Sequence, residues 1–213
     1  MQLRLADGDG AGAGDVRWTL AEKKDALNHA YRRFCRETEI QESFVTWTQD
    51  SGAVYKPGSS VKVVRLLADP QSATLGYTLT PTTEAALFAC DPSWATTAGN
   101  PTYYVFPYSI VDDEKKFIVS PVPSVALTDL KCRAVIIPAD MSANGDEPAI
   151  PHEFHDALVE GAIELLLQKK GNMADTEMAT VAGMRFSAAI NDARSTKAAG
   201  HTSRGGCVPF RYI

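Results

Sequence analysis

The sequence predicts an α+β protein: a helical bundle of one N-terminal and two C-terminal helices, with a β-rich domain inserted between them. Three observations carry this. Residues 150–171, IPHEFHDALVEGAIELLLQKKG, combine helix end signals with an apolar face too wide for a surface helix. Residues 19–38 and 175–193 also place apolar side chains at helical spacing. Between them, about residues 44–139, the texture changes to Val-, Thr- and aromatic-rich runs broken by Gly, Pro, Asn and Asp.

The first helix opens at Thr19, and Glu22 three residues on completes a capping box. Leu20, Leu27, Tyr31, Phe34 and Thr38 form its apolar stripe, widened by Ala30 and Cys35. Arg32, Arg33 and Arg36 fall off that stripe, which predicts a solvated basic face, or else one meeting a phosphate or a partner. In the middle region FVTWT and VKVVRLL read as strands and SGAVYKPGSS as the turn between them. Thr83 starts a short helix that Asp91-Pro92 stops. TYYVFPYSI and KKFIVSP form a hairpin, and KCRAVIIPA is a further strand ended by Pro138.

The core helix begins at Pro151, with Glu153 and Asp156 in its first turn, Lys169 and Lys170 in its last, and Gly171 as C-cap. Glu153, Asp156, Glu160, Glu164 and Gln168 make one narrow polar stripe; Phe154, Leu158, Ala162, Leu165 and Leu166 lie in the apolar remainder. Its roughly eighteen residues reach about 27 Å, the span of a small domain. Asp175 caps a last helix through about Ala193, with Met178, Ala182, Phe186, Ala189 and Ala193 on one small-residue face suited to close packing. Residues 1–15, rich in Gly, Ala and Asp, read as a flexible arm, and residues 16–196 as the folded domain. The tail, residues 197–213, is glycine-rich and basic, then aromatic and aliphatic at its end. It reads as a segment that orders by docking on something.

With 213 residues and 45% hydrophobic content, the chain can bury a real core. Its net charge of −5 argues against broad, non-specific nucleic-acid binding by the whole surface. No apolar run approaches a membrane span, and the N-terminus lacks the apolar core of a signal peptide. Cys35, Cys90, Cys132 and Cys207 are scattered with no CxxC pair, the pattern of idle thiols in a reducing compartment.

No pattern calls for a cofactor. His152 and His155 stand three apart, whereas a zincin helix needs its histidines one turn apart at i and i+4. Asp7, Asp9 and Gly12 match three positions of a calcium loop, but Ala11 replaces a ligand and Trp18 stands in place of the bidentate Glu. Glu160 and Glu164, one turn apart, have no His or Lys partner nearby in sequence and read as a solvated or subunit-facing edge. No Gly-x-Ser-x-Gly elbow or nucleophilic Cys setting appears. No catalytic, cofactor or metal residue is therefore expected. The alternative from another class is a hydrolase or metal-dependent enzyme whose site is assembled from distant loops.

Four segments resemble the head-to-tail adaptor (connector) proteins of tailed bacteriophages, especially the short-tailed type. VRWTLAEKKDALNHAYRRF is similar to that family's opening helix, with its Leu-Asn pair at Leu27-Asn28. PSWATTAGNPTYYVF is similar to its Trp…Gly-x-Pro-x-x-Tyr segment, and FIVSPVPS to its strand ending in Pro-x-Pro. IPHEFHDALVEGAIELLLQKKG matches its Ile-Pro-x-x-Phe/Tyr-His-x-Ala-Leu-Val helix. The resemblance spans most of residues 16–193. It implies a non-enzymatic virion protein, made in the host cytoplasm and placed in the neck between head and tail. There a homo-oligomeric ring, usually a dodecamer, would bind the portal protein and a tail or nozzle protein. DNA would pass through its channel without sequence-specific binding, and no membrane would be involved. Another neck or tail-tube component is the neighbouring alternative. C-terminal segments in that family commonly reach into the portal, which makes Arg204, Pro209, Phe210, Arg211, Tyr212 and Ile213 docking candidates. Phe154, Leu158, Ala162, Leu165, Leu166 and Phe186 then become candidates for core and subunit packing.

Overall fold

The computed structural model describes residues 18–58, 62–106, 115–143, 145–170 and 173–204. These carry four helices: α1 (Leu20–Thr38), α2 (Glu84–Cys90), α3 (His155–Lys170) and α4 (Met173–Arg204). Nine strands lie between α1 and α3: β1 (Glu42–Ser51), β2 (Val54–Pro57), β3 (Lys62–Leu66), β4 (Gln71–Ser72), β5 (Tyr77–Thr78), β6 (Thr80–Pro81), β7 (Tyr103–Val105), β8 (Phe117–Ser120) and β9 (Lys131–Ile137). The α+β class expected from the sequence is what forms. The chain divides into two compact units, one of Met1–Ile40 with Asp140–Ile213, the other Gln41–Ala139.

In the helical unit α3 packs against both α1 and α4. Thr19 caps α1 through the Glu22 amide while the Glu22 carboxylate accepts from the Thr19 amide at 2.9 Å. Glu39, in the left-handed conformation, ends the helix. A single 3₁₀ turn, His152–Phe154, precedes α3 behind Pro151. Tyr31, Phe34, Phe154, Leu158, Phe186 and Ile190 share one core; Trp18, Ala26, Ala162, Leu166, Leu167 and Ala179 form a second. Leu20, placed on the packed stripe by spacing, is 63% exposed. α4 runs past the expected stop near Ala193 to Arg204, because Lys197, Ala198 and Ala199 are good helix formers and Gly200 alone does not break a helix.

In the β unit one strand path runs β5-β4-β9-β1-β2-β8-β7-β6, with β3 added on β9. β1 pairs with β9 through Glu42–Thr46 and with β2 through Trp47–Ser51. β5 and β6, the two ends of the path, are separated only by Leu79, so the sheet all but closes into a barrel. Its interior holds Trp47, Tyr55, Leu79, Phe117, Val119 and Leu130, all under 2% exposed. Phe117 meets the Trp47, Tyr55 and Tyr104 rings at centroid distances of 4.5–6.0 Å. The sequence reading of 51–60 as a turn is corrected: Val54–Pro57 is strand β2, and Gly52 and Ala53 turn the chain into it. Gly52, at φ +52°, supplies the left-handed step that an L side chain resists.

Candidate interaction surfaces

The six positions expected to carry packing separate by burial. Phe154, Leu158, Ala162, Leu166 and Phe186 are buried, whereas Leu165 is only half-buried. Phe34 lies 5.5 Å from Phe154 and 6.3 Å from Phe186 by ring centroids, which ties α1 to the α3 entry and to α4. Gly161 marks the closest approach of the three helices: a Cβ there would stand 3.0 Å from the Ala30 Cβ and 3.1 Å from the Phe186 ring. Of the tail candidates, Arg204 is the last residue of α4; Pro209, Phe210, Arg211, Tyr212 and Ile213 lie outside the described residues. So do Asp7, Asp9, Gly12, Gly171 and Cys207.

The arginine patch on α1 does not stand as one free face. Arg32 pairs with Asp140 at 2.5 Å. Arg33 donates to Glu37 at 2.8 Å and to Glu164 of α3 at 3.2 Å, with its guanidinium 5.2 Å from the Phe186 ring centre. Hydrogen bonds to the Glu37 carboxylate first, and to that of Glu164, hold the Arg33 pKa above its ordinary value. Arg36 is exposed. The same contacts revise the polar stripe of α3. Glu164 faces α1 and Glu160 pairs with Arg185 of α4 at 3.3 Å, so both lie on helix–helix seams rather than on a solvated edge. Their partners are 131 and 25 residues away in sequence, which a local reading cannot find.

α1 also holds the returning chain. Asn28, buried, donates to the Met141 carbonyl at 3.0 Å and accepts from its amide at 2.9 Å. The Tyr31 hydroxyl accepts from the Ala149 amide at 2.8 Å. Burial pushes the Tyr31 pKa up to about 12 and the Cys35 thiol up to about 12. In the β unit burial takes the Cys132 thiol up to about 11, against a hydrogen bond from the Trp47 indole. Thiols held protonated in this way are poor nucleophiles.

The His152 and His155 rings meet tilted by 34° at a centroid distance of 4.7 Å, and His155 Nε2 lies 3.1 Å from the Ile150 carbonyl oxygen. The pair closes the 3₁₀ turn onto the chain before it. Among the described residues no group of three or more His, Cys, Asp or Glu side chains is placed to hold a metal ion. Nor is any helix among them long and apolar enough to cross a membrane.

Exposed apolar side chains cluster on α4, and others are spread over the β unit. On α4, Met178, Val181 and Met184 are 61%, 48% and 67% exposed. Met184 also lines a shallow groove of roughly 540 Å³, with Glu164, Gln168, Gly183, Ser187, Ala188 and Asn191 among others. The sequence reading had put Met178 on the packed face; the buried stripe is instead Ala179, Ala182, Phe186, Ile190 and Ala193. Met178 lies eight residues before Phe186, which at 3.6 residues per turn rotates it about 80° off that stripe. Spacing by seven would have found Ala179. On the β unit, Phe44 is 69% exposed on β1 and Phe88 61% exposed on α2. Phe44 carried no warning, since an outward aromatic fits a strand as well as an inward one.

A family model described as SU10 adaptor protein matches residues 2–206. No curated protein matches the chain.

Proposed function

The chain belongs to the SU10 adaptor protein family, and from that membership we propose that it is a structural ring protein joining the portal of a phage head to the tail. The observation that carries this is the family match over nearly the whole length of the chain. In this reading the phage is of the short-tailed type, and twelve copies extend the DNA channel below the portal and offer a platform to a tail or nozzle protein. The helices act as a bundle with the β domain inserted, and the tail with Arg204, Pro209, Phe210, Arg211, Tyr212 and Ile213 docks on the portal. A net charge of −5 suits a bore through which DNA slides, because attached phosphates would slow ejection.

The buried positions Phe154, Leu158, Ala162, Leu166 and Phe186 build the protomer. Contact between copies falls instead to side chains still in water. Met178, Val181 and Met184 on α4 are the first choice. Burying each fully against a neighbour contributes about 1.5–3 kcal/mol. A lone aspartate among them would weaken association without disturbing the protomer core.

The test is mixing purified protein with the portal of the same phage and measuring the mass of the complex. A complex carrying about twelve copies per portal ring supports the reading. A protein that stays monomeric and leaves the portal unbound contradicts it.

A further inference from the structure

We propose that copies of the chain also meet through their β units, head to tail, with Phe44 of one copy seated in the groove beside α2 of the next. The proposal rests on the ring reading above and names a contact within it. A ring closed by rotation needs two different, complementary patches on each copy. The β unit carries such a pair.

The first patch is the outer face of β1, β9 and β3. Phe44 stands opposite Arg133 in register and Thr46 opposite Lys131. Lys62 and Arg65 extend the face along β3, and all four basic residues are exposed. Glu42, ion-paired with Arg133, is the acidic residue among them. Phe44 stands 69% exposed in the middle of this basic face.

The second patch lies across the barrel. The strand path closes from β5 to β6 through Leu79, which puts β7 and β6 on the wall facing away from β9 and β1. α2 follows β6 directly, and with β7 it walls a groove of roughly 270 Å³. Its lining includes Tyr104, Val105 and Phe106, with Glu84 among the polar residues. Phe88, on the same short helix, is exposed. One wall of the barrel is therefore basic around an exposed Phe; the opposite wall offers an aromatic-lined groove with Glu84 at its edge. The Phe44 ring fills the groove, and Lys131 or Arg133 reaches Glu84. That opposite-charge pair fixes register, and like charge disfavours the self-matched pairing of two basic walls.

The experiment is a cysteine cross-link in the full chain. Thr46→Cys and Ala85→Cys are combined in a background of Cys90→Ser and Cys207→Ser, and the assembled protein is mildly oxidised. The expected result is a ladder of disulfide-linked multimers from the double variant and none from either single one. Wild-type assembly with no ladder overturns this contact and leaves the ring reading standing. A wild-type protein that is monomeric throughout overturns the ring reading, and this contact with it. As a second measurement, Phe44→Ser raises the concentration needed for assembly about tenfold or more while thermal unfolding stays unchanged. Lys131→Glu and Glu84→Lys each weaken assembly, and together they restore it. Unchanged assembly by Phe44→Ser overturns the contact.

Discussion

Gly161 and Gly183 show how distance and softness decide what a single atom does. A Cβ at Gly161 meets Ala30 and the Phe186 ring at 3.0–3.1 Å, both held inside a three-helix core. Gly161→Val therefore destabilises by about 1–3 kcal/mol, measured by urea unfolding, through overpacking. A Cβ at Gly183 comes within 2.7 Å of Glu164 Oε1, part of the carboxylate that Arg33 holds. There the gain in helix propensity, up to about 1 kcal/mol, is set against moving that carboxylate off Arg33, and Gly183→Ala costs less than Gly161→Val in the same urea measurement. Buried titrating groups give a pH prediction. Tyr31, Cys35 and Cys132 have pKa values raised to about 12, 12 and 11 from ordinary values of 10.0, 9.0 and 9.0. A raised pKa means that folding favours the protonated form. The stability these groups contribute is complete below about pH 9 and is lost as pH rises through 11 and 12. Urea midpoints taken from pH 8 to pH 11.5 should fall steeply at the upper end; a flat profile contradicts the burial of these groups.

Elements written in local signals were legible. Thr19 and Glu22 announce α1, Thr83 announces α2, and the Lys131–Ile137 run reads as a strand from its composition. Thr19→Ala removes the cap and costs about 1 kcal/mol by thermal unfolding. What was not legible depends on partners far along the chain. β4, β5 and β6 are two residues each, too short for any alternation, and become strands because β9 pairs β4, β4 pairs β5 and β7 pairs β6. β2 was hidden in turn-forming residues, and Lys56 in it is held by Asp50 across the hairpin. The polar stripe of α3 looked solvated because Arg33 and Arg185 come from other helices. The candidate surface on α4 was missed for a different reason: its stripe drifts with the 3.6-residue turn, and Met178 was counted on the wrong side. Leu166, by contrast, was placed in the apolar face and is 1% exposed. Leu166→Asp puts a charge in that core and costs on the order of 4 kcal/mol or more, enough to leave little folded protein in circular dichroism.

At the scale of the whole molecule, the described residues present buried cores, paired polar seams and exposed apolar side chains on α4 and on the β unit. That distribution fits a protein whose work is contact with copies of itself and with neighbours in the virion. Removing residues 205–213 leaves all of α4 through Arg204 in place. The shortened chain should unfold at the same temperature as the full one and still self-associate, yet no longer bind the portal. Portal binding at full strength by the shortened chain would remove the tail from the docking site. The most direct measurement is electron microscopy of the purified full-length protein, alone and with the portal of its phage. The account predicts closed rings with a central opening wide enough for duplex DNA, about 20 Å or more across. Single, unassociated molecules under both conditions would contradict it.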